Sequence, residues 1–126
     1  MTRKIIIDTD PGIDDAMAIF LALKSPTLDV LALTTTYGNV SVDLATKNAL
    51  TLLELAGSDI PVAKGVAKPL AAKALPAPDF VHGKDGFGNI NWPASNRTPD
   101  SRSAAQLIVD MVHQYPNEIA IVALGP

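Results

Sequence analysis

The segment IIIDTDPGIDDA, residues 5–16, decides the fold, because it joins an apolar strand pattern to an apolar helix pattern through an acidic turn. The apolar run is continuous, as is typical of a strand buried on both faces of a parallel sheet. Pro11 and Gly12 then turn the chain, and helical periodicity follows over residues 13–24. Four carboxylates lie at this junction: Asp8, Asp10, Asp14 and Asp15.

Outward from this segment, strand and helix patterns continue to alternate along the chain. The predicted elements are a strand at 28–38, a helix capped by Ser41 that ends near Ala56 and Gly57, a strand at 60–65, a helix begun by Thr98 and Pro99, and a strand at 118–125. This order predicts an α/β fold with a doubly wound, mostly parallel, Rossmann-like sheet and right-handed crossovers.

Two features depart from a compact α/β domain. Residues 65–98 form a connection rich in proline, alanine and glycine, and loops of that length are commonly lids or binding segments. We therefore expect a lid-like loop. The chain stops at ALGP, residues 123–126, at the carboxyl tip of its fourth strand, where ligand-binding loops follow in this architecture. We expect residues 1–126 to be the N-terminal part of one α/β domain, truncated after that strand.

Composition narrows the function classes. The 126 residues suffice for one domain, and a net charge of −3 gives no reason to expect nucleic acid or an anionic membrane as a partner. The absence of cysteine excludes disulfides, zinc–thiolate sites and thiol catalysis. No apolar run is long enough for a signal peptide or a membrane span, so we expect a cytoplasmic protein.

The acidic junction needs an electrostatic explanation. Two carboxylates about 4 Å apart repel by about 4 kcal/mol at an effective dielectric constant of 20. The dipole of the following helix favours Asp14 and Asp15 by only about 0.3–1 kcal/mol each. The carboxylates therefore splay into water, keep protons, or bind a cation. With oxygen ligands only and no nearby histidine or cysteine, Ca²⁺ or Mg²⁺ is the cation that fits.

Two known cation motifs differ from this junction. The spacing fails for an EF-hand, which needs a glutamate where this sequence has Ile19. A haloacid dehalogenase-like phosphatase would use Asp8 as nucleophile and Asp10 as acid/base with Mg²⁺, but that motif does not normally continue as PGIDDA. A solvated helix cap is the plain structural alternative.

Four segments together resemble the inosine–uridine-preferring nucleoside hydrolase family. They are DTDPGIDDA at 8–16, TTTYGNV at 34–40, HGKDGFGN at 82–89 and ALGP at 123–126. The resemblance covers essentially the whole chain, in the order and spacing of the family. It implies Ca²⁺-dependent hydrolysis of the N-glycosidic bond of ribonucleosides to ribose and free base.

The resemblance also implies a role for each matching residue. Asp10 would be the general base that activates water and a metal ligand, and Asp15 would be a second Ca²⁺ ligand. Asp14 would bind a ribose hydroxyl, and Asn39 would hold the ribose or the water. His82 would belong to a mobile loop that closes over the nucleoside. Asp8 is expected to be a structural hydrogen-bond acceptor.

The family pattern also requires groups that do not occur in these residues. Its calcium shell takes a backbone carbonyl after the GP segment and a downstream aspartate, and the groups that activate the leaving base lie downstream too. A catalytically inactive truncated remnant and a cation- or ribose-binding module therefore stay open as alternatives. The complete protein is expected to be a homodimer or homotetramer.

Overall fold

The computed structural model describes residues 1–126 and shows the expected alternation of strands and helices. In chain order the elements are β1 (Arg3–Thr9), α1 (Ile13–Lys24), β2 (Leu28–Thr35), α2 (Val42–Ala56), β3 (Val62–Lys64), α3 (Asp79–His82), α4 (Ala104–Gln114) and β4 (Ile119–Ala123). None of the helices has the length and apolar character needed to cross a membrane.

The four strands form one parallel sheet in the order β3-β2-β1-β4, which confirms the predicted α/β class. The chain builds outward from β1 to β3 and then returns to the other side of β1 with β4. The direction of winding therefore reverses between β1 and β4. In sheets of this kind ligands bind beyond the carboxyl ends of the strands at such a reversal, and Asp10 directly follows β1 there.

Alternate residues of β1 pack against opposite layers of helices. Ile5 and Ile7 belong to the larger apolar cluster with residues of α1 and α2, whereas Ile6 packs in a second cluster with Leu107 of α4. Ile6 and Leu107 are fully buried. The strand is thus covered on both faces, which is the reason that its apolar run is continuous.

The ends of α1 and α2 agree with the sequence prediction. The hydroxyl of Ser41 accepts a hydrogen bond from the Leu44 N–H at 3.3 Å, which caps the start of α2. Gly57 ends the helix in the left-handed conformation, with φ of 67°. Capping residues close in sequence to their helix therefore fixed these boundaries.

The predicted start of the last helix is wrong. Thr98 and Pro99 do not begin it; α4 starts at Ala104 and is capped by Ser103, whose hydroxyl accepts the Gln106 N–H at 3.2 Å. The residues between are held in a turn by Arg102, which donates to the Asp100 carboxylate through its side chain and backbone. This pairing competes with extension of the helix toward Thr98.

The second, third and fourth strands are shorter than predicted, and the long loop is longer. The strand expected at 28–38 ends at Thr35, and those expected at 60–65 and 118–125 lose residues at both ends. The connection after β3 extends to Ser103 and contains one element that the sequence did not predict, the single turn α3. A lid function for this loop stays a prediction.

Candidate active site beyond the carboxyl ends of β1 and β2

The four segments that carry the family resemblance meet at the carboxyl edge of the sheet. The last of them docks on β1, because the N–H groups of Leu124 and Gly125 both donate to the Asp8 carbonyl, at 2.8 and 3.3 Å. The second segment contacts the first through Asn39, and the third segment also contacts the first, through His82. Segments separated by more than a hundred residues thus line one site.

Asp10 is the centre of this site and is only 4% exposed. Its Oδ2 accepts the backbone N–H of Asn39 at 2.6 Å, and the Asn39 side-chain amide donates back to the Asp10 carbonyl at 3.2 Å. The two residues are therefore held to each other by a reciprocal pair of hydrogen bonds. No N–H or hydroxyl group of the protein donates to Oδ1 of Asp10, so this is the oxygen available for chemistry.

Asp15 is the second buried carboxylate, at 6% exposure. It lies in the first turn of α1, where its Oδ2 accepts the Gly12 N–H at 3.2 Å and so caps the helix. It is close enough to Asp10 for the two carboxyl groups to interact electrostatically. Neither of them forms an ion pair with lysine or arginine.

Burial perturbs both members of this pair. It raises the pKa of Asp10 to about 6; the charge of Asp15 adds to the rise, and the Asn39 hydrogen bond opposes it. Burial also raises the pKa of Asp15; the Gly12 N–H opposes this, and the charge of Asp14 adds to it. A shared proton or a bound cation would therefore offset the cost of burying two negative charges in this pair.

Asp14 and His82 form the outer part of the site. The Asp14 side chain is 79% exposed, and its Oδ1 lies 3.5 Å from Nε2 of His82. Nδ1 of the same imidazole accepts the Ile13 N–H at 3.3 Å. An added Cβ on Gly12 would lie 2.9 Å from Cγ of His82, so only glycine allows the ring to pack this closely over the turn.

The four carboxylates of the opening motif do not form one cluster. Asp8 instead accepts the hydroxyl hydrogen of Thr34 at 2.6 Å, which confirms the structural role predicted for it. Asp14 points to solvent, and no three histidine, cysteine, aspartate or glutamate side chains lie close enough together to hold a metal ion. The predicted repulsion among four acids thus reduces to three of them: Asp15 acts on Asp10, and Asp14 acts on Asp15.

The structure brings together all five residues predicted for the site: Asp10, Asp14, Asp15, Asn39 and His82. Their chemical roles stay predictions. The structure also shows a cleft of about 540 Å³ beside Asp10, which is lined by Tyr37, Lys73 and prolines of the segment 69–78. Sequence reasoning missed this wall, because a segment rich in proline and alanine has no motif or periodic pattern that indicates which of its residues face the site.

The pH dependence of folding tests the environment of Asp10. Its pKa is about 6 in the folded chain and 3.8 ordinarily, so the folded state binds the proton more tightly than the unfolded state. Without divalent cations, this group's contribution to stability is therefore complete below about pH 3.8 and is lost as the pH rises through about 6. Between pH 4 and 7.5 the free energy of unfolding of the unmodified chain should therefore fall by an amount on the order of 1–2 kcal/mol, and this fall should be absent in Asp10→Asn.

Urea unfolding in the presence of a chelator, at a series of pH values, measures this difference between the variant and the unmodified chain. Asp8→Asn is the matched control, because the Asp8 carboxylate lies only two residues away and already accepts the hydroxyl hydrogen of Thr34. An identical pH profile for the unmodified chain and Asp10→Asn would contradict the buried environment of Asp10.

Comparison with known proteins agrees with this geometry. Residues 5–126 match the family described as inosine-uridine preferring nucleoside hydrolase. The chain is 57% identical to a probable uridine nucleosidase 2 of Arabidopsis thaliana, covering 98% of this chain and 39% of that protein. It is 44% identical to the inosine-uridine preferring nucleoside hydrolase of Leishmania major, covering 99% and 40% of the two chains.

Solved structures give the same picture. A plant nucleoside hydrolase superposes with a TM-score of 0.95 at 55% identity, over 100% of this chain and 40% of that one. A purine-preferring ribonucleoside hydrolase from Gardnerella vaginalis superposes with a TM-score of 0.93 at 34% identity, over 98% of this chain and 40% of that one. The chain thus spans about 40% of the length of these relatives. With the match over residues 5–126, this places the chain in the inosine-uridine preferring nucleoside hydrolase family.

Proposed function

We propose that the protein hydrolyses the N-glycosidic bond of ribonucleosides to give ribose and the free base. The observation that carries this proposal is a buried carboxylate, Asp10, held by Asn39 beside a second buried carboxylate, Asp15, at the sheet edge where ligands bind. The names of the relatives support it, since they include uridine nucleosidases and nucleoside hydrolases.

The residues present fit a hard cation, and we propose Ca²⁺. Asp10 and Asp15 would hold it: both are buried, both lack a cationic partner, and both have raised pKa values that a nearby positive charge would lower. When bound, the ion supplies positive charge that keeps the two carboxylates ionised and makes a neighbouring water more acidic.

The remaining chemistry is assigned to side chains of this chain. Asp10 removes a proton from the attacking water through its free Oδ1, while the Asn39 N–H holds its Oδ2 in place. The solvent-facing carboxylate of Asp14 accepts a hydrogen bond from a ribose hydroxyl. As the N-glycosidic bond breaks, its electron pair leaves with the base, which takes up a proton from water. C1′ meanwhile gains oxocarbenium character, and the surrounding carboxylates stabilise that positive charge. His82 covers the substrate and excludes water.

The phosphatase alternative is disfavoured by a specific contact. That mechanism requires Asp8 as the nucleophile and a cation between Asp8 and Asp10. Asp8 is instead bound to the Thr34 hydroxyl, and the carboxylate that interacts with Asp10 is Asp15. Family membership also favours nucleoside cleavage over phosphate release.

An assay with two substrate classes tests the proposed reaction. Uridine or inosine is incubated with the longest polypeptide that the gene encodes and Ca²⁺, and reducing sugar is measured. Release of ribose supports the proposal, and release of phosphate from an aryl phosphate with Mg²⁺ supports the phosphatase. Cation-dependent stabilisation without ribose release identifies the binding module, and neither effect identifies an inactive remnant.

Calcium binding has a readout that does not depend on turnover. We expect Ca²⁺ to raise the melting temperature of this chain. At a Ca²⁺ concentration 100 times the dissociation constant, the free energy of unfolding should rise by about 2.7 kcal/mol. A chelator should reverse the shift, and Asp15→Asn should remove it. The exposed residue Asp79 provides the control variant Asp79→Asn, which should leave the shift unchanged. Equal shifts in both variants would contradict the calcium assignment.

The oligomeric state is a separate proposal. A dimer or tetramer is expected by analogy with the family, and size-exclusion chromatography with light scattering measures it directly.

A further inference from the structure

A buried polar side chain outside the proposed mechanism links the long loop to the site. Asn48 lies on α2 among apolar neighbours and is 6% exposed. Its amide nitrogen donates to the backbone carbonyl of Asp85 at 2.9 Å, and it also lies 3.4 Å from the carbonyl of Pro11. One side chain therefore joins α2, the turn after β1, and the loop that carries His82.

The loop at this junction is itself folded around one carboxylate. Asp85 accepts three backbone N–H groups, from Phe87 at 2.8 Å, Asn89 at 2.7 Å and Asn91 at 2.9 Å. The Asn89 side chain in turn accepts the Lys84 N–H at 2.8 Å. Residues 84–91 therefore form a preformed turn, and fixing Asp85 fixes the whole turn.

The contact between Asn48 and this turn requires glycine. Gly86 has a φ of 82°, and an added Cβ would lie 2.8 Å from the Asn48 amide nitrogen and 3.0 Å from the Pro11 carbonyl oxygen. The turn also holds His82 directly, since the Gly88 N–H donates to the His82 carbonyl at 2.7 Å. A continuous chain of hydrogen bonds thus runs from Asn48 through the turn to His82.

The preceding part of the loop has no comparable attachment. The hydrogen bonds made by side chains of this protein include none from residues 66–78, most of which are exposed. Beyond the turn, by contrast, the Ser95 N–H donates to the Thr51 hydroxyl, and Arg97 donates to the Ser58 and Ile60 carbonyls. His82 therefore marks the boundary between an attached and an unattached half of the loop.

We propose that Asn48 is a positioning residue that, by joining Asp85 to Pro11, holds His82 over the start of α1. Movement of the loop over a substrate is then confined to the segment 66–81, while residues 82–97 act as its fixed base. This inference deepens the proposed function, because the side chain that it positions is the one assigned to cover the ribonucleoside.

Two variants and a control test the positioning role. Asn48→Ala removes the side chain, and Asn48→Asp keeps its size but removes the N–H donor. Thr46→Val, one half-turn away on α2, removes a buried hydroxyl that contacts Thr35 and the Val42 carbonyl and does not touch the loop. All three remove buried polar contacts of one helix, so a general loss of stability affects them alike.

Amide hydrogen exchange provides the first readout. In both Asn48 variants the amide hydrogens of Phe87, Asn89 and Asn91 should exchange about 10-fold faster. The net free energy of one hydrogen bond corresponds to a rate change of that order. Thr46→Val should leave these three rates within about 2-fold of the unmodified chain. Equal acceleration in the control, or unchanged rates in the Asn48 variants, would overturn the proposal.

The imidazole of His82 provides a spectroscopic readout that a purely structural role does not move. In the folded chain Nδ1 accepts the Ile13 N–H, so the neutral ring carries its proton on Nε2. Nitrogen chemical shifts of labelled histidine should show this single tautomer, and the Asn48 variants should shift His82 toward the average of free imidazole. His113, the other histidine, is the internal reference.

These measurements separate the inference from the proposed function. Neither amide exchange nor the imidazole shift requires ribose release, so they succeed or fail independently of nucleoside hydrolysis. If the protein cleaves nucleosides but His82 keeps its tautomer in Asn48→Asp, the positioning role is wrong and the proposed function stands. If His82 loses its single tautomer in the Asn48 variants but the unmodified protein cleaves no nucleoside, the positioning role stands and the proposed function is wrong.

Discussion

Asp10→Asn is expected to lower the rate of ribonucleoside hydrolysis by about 10²–10⁴-fold, the usual contribution of a positioned general base. The amide oxygen of the variant can still accept the Asn39 N–H, so the turn after β1 keeps its geometry. An amide cannot take up the proton of the attacking water, and it is a poorer ligand for a cation. The loss should therefore appear in kcat rather than through unfolding.

Asp8→Asn is the matched control for this experiment. Asp8 lies two residues earlier, but its carboxylate accepts only the hydroxyl hydrogen of Thr34, which an amide oxygen also accepts. We expect a change of less than about 10-fold in kcat, since one neutral hydrogen bond contributes about 1 kcal/mol. Undiminished hydrolysis by Asp10→Asn, or an equal loss in both variants, would remove Asp10 from the role of base.

The opening motif was predictable because its determinants are close together in sequence. An unbroken apolar run, Pro11 and Gly12, and an apolar helix pattern are separate signals for a strand, a turn and a helix. The predicted helix at 13–24 is the observed one, and the cap at Ser41 was identified from the residue type alone. Local signals of this kind need no knowledge of tertiary contacts.

The distribution of the carboxylates was not predictable in the same way. Sequence spacing indicated a dense acidic cluster, but the partner of Asp8 is Thr34, which is 26 residues away on the neighbouring strand. Only the register between β1 and β2, which pairs Asp8 with Thr34, shows that this acid is already satisfied. The pair that interacts across the turn, Asp10 and Asp15, is therefore a tertiary result.

The start of the last helix and the anchoring of the long loop were missed for the same reason. Thr98 and Ser103 are both acceptable caps by residue type, and the pairing of Asp100 with Arg102 decides between them. The attachment of the loop depends on Asn48 and Asp85, which are 37 residues apart. Nothing in the local sequence of α2 distinguishes a buried asparagine that holds a loop from one that faces solvent.

Gly38→Ala is expected to be strongly damaging although it removes no functional group. An added Cβ would lie 2.0 Å from Oδ2 of Asp10 and 3.0 Å from Cδ of Pro126, so the carboxylate or the backbone must move. Overpacking of this kind costs about 1–3 kcal/mol of stability. Because Asn39 binds the same oxygen at 2.6 Å, that hydrogen bond must lengthen or break as well.

The catalytic consequence should exceed the loss of stability. A displacement of about 1 Å at a reacting group can cost about 10²-fold in rate, so Gly38→Ala should lose kcat at temperatures where it is still folded. Gly57→Ala separates the two effects: Gly57 also has a positive φ, of 67°, but no atom lies within 4 Å of its added Cβ. That control should lose about 1 kcal/mol of stability and keep its kcat. If instead both variants lose stability alike and both keep kcat, the close approach of Gly38 to Asp10 has no catalytic role, and Oδ2 does not need the position in which Asn39 holds it.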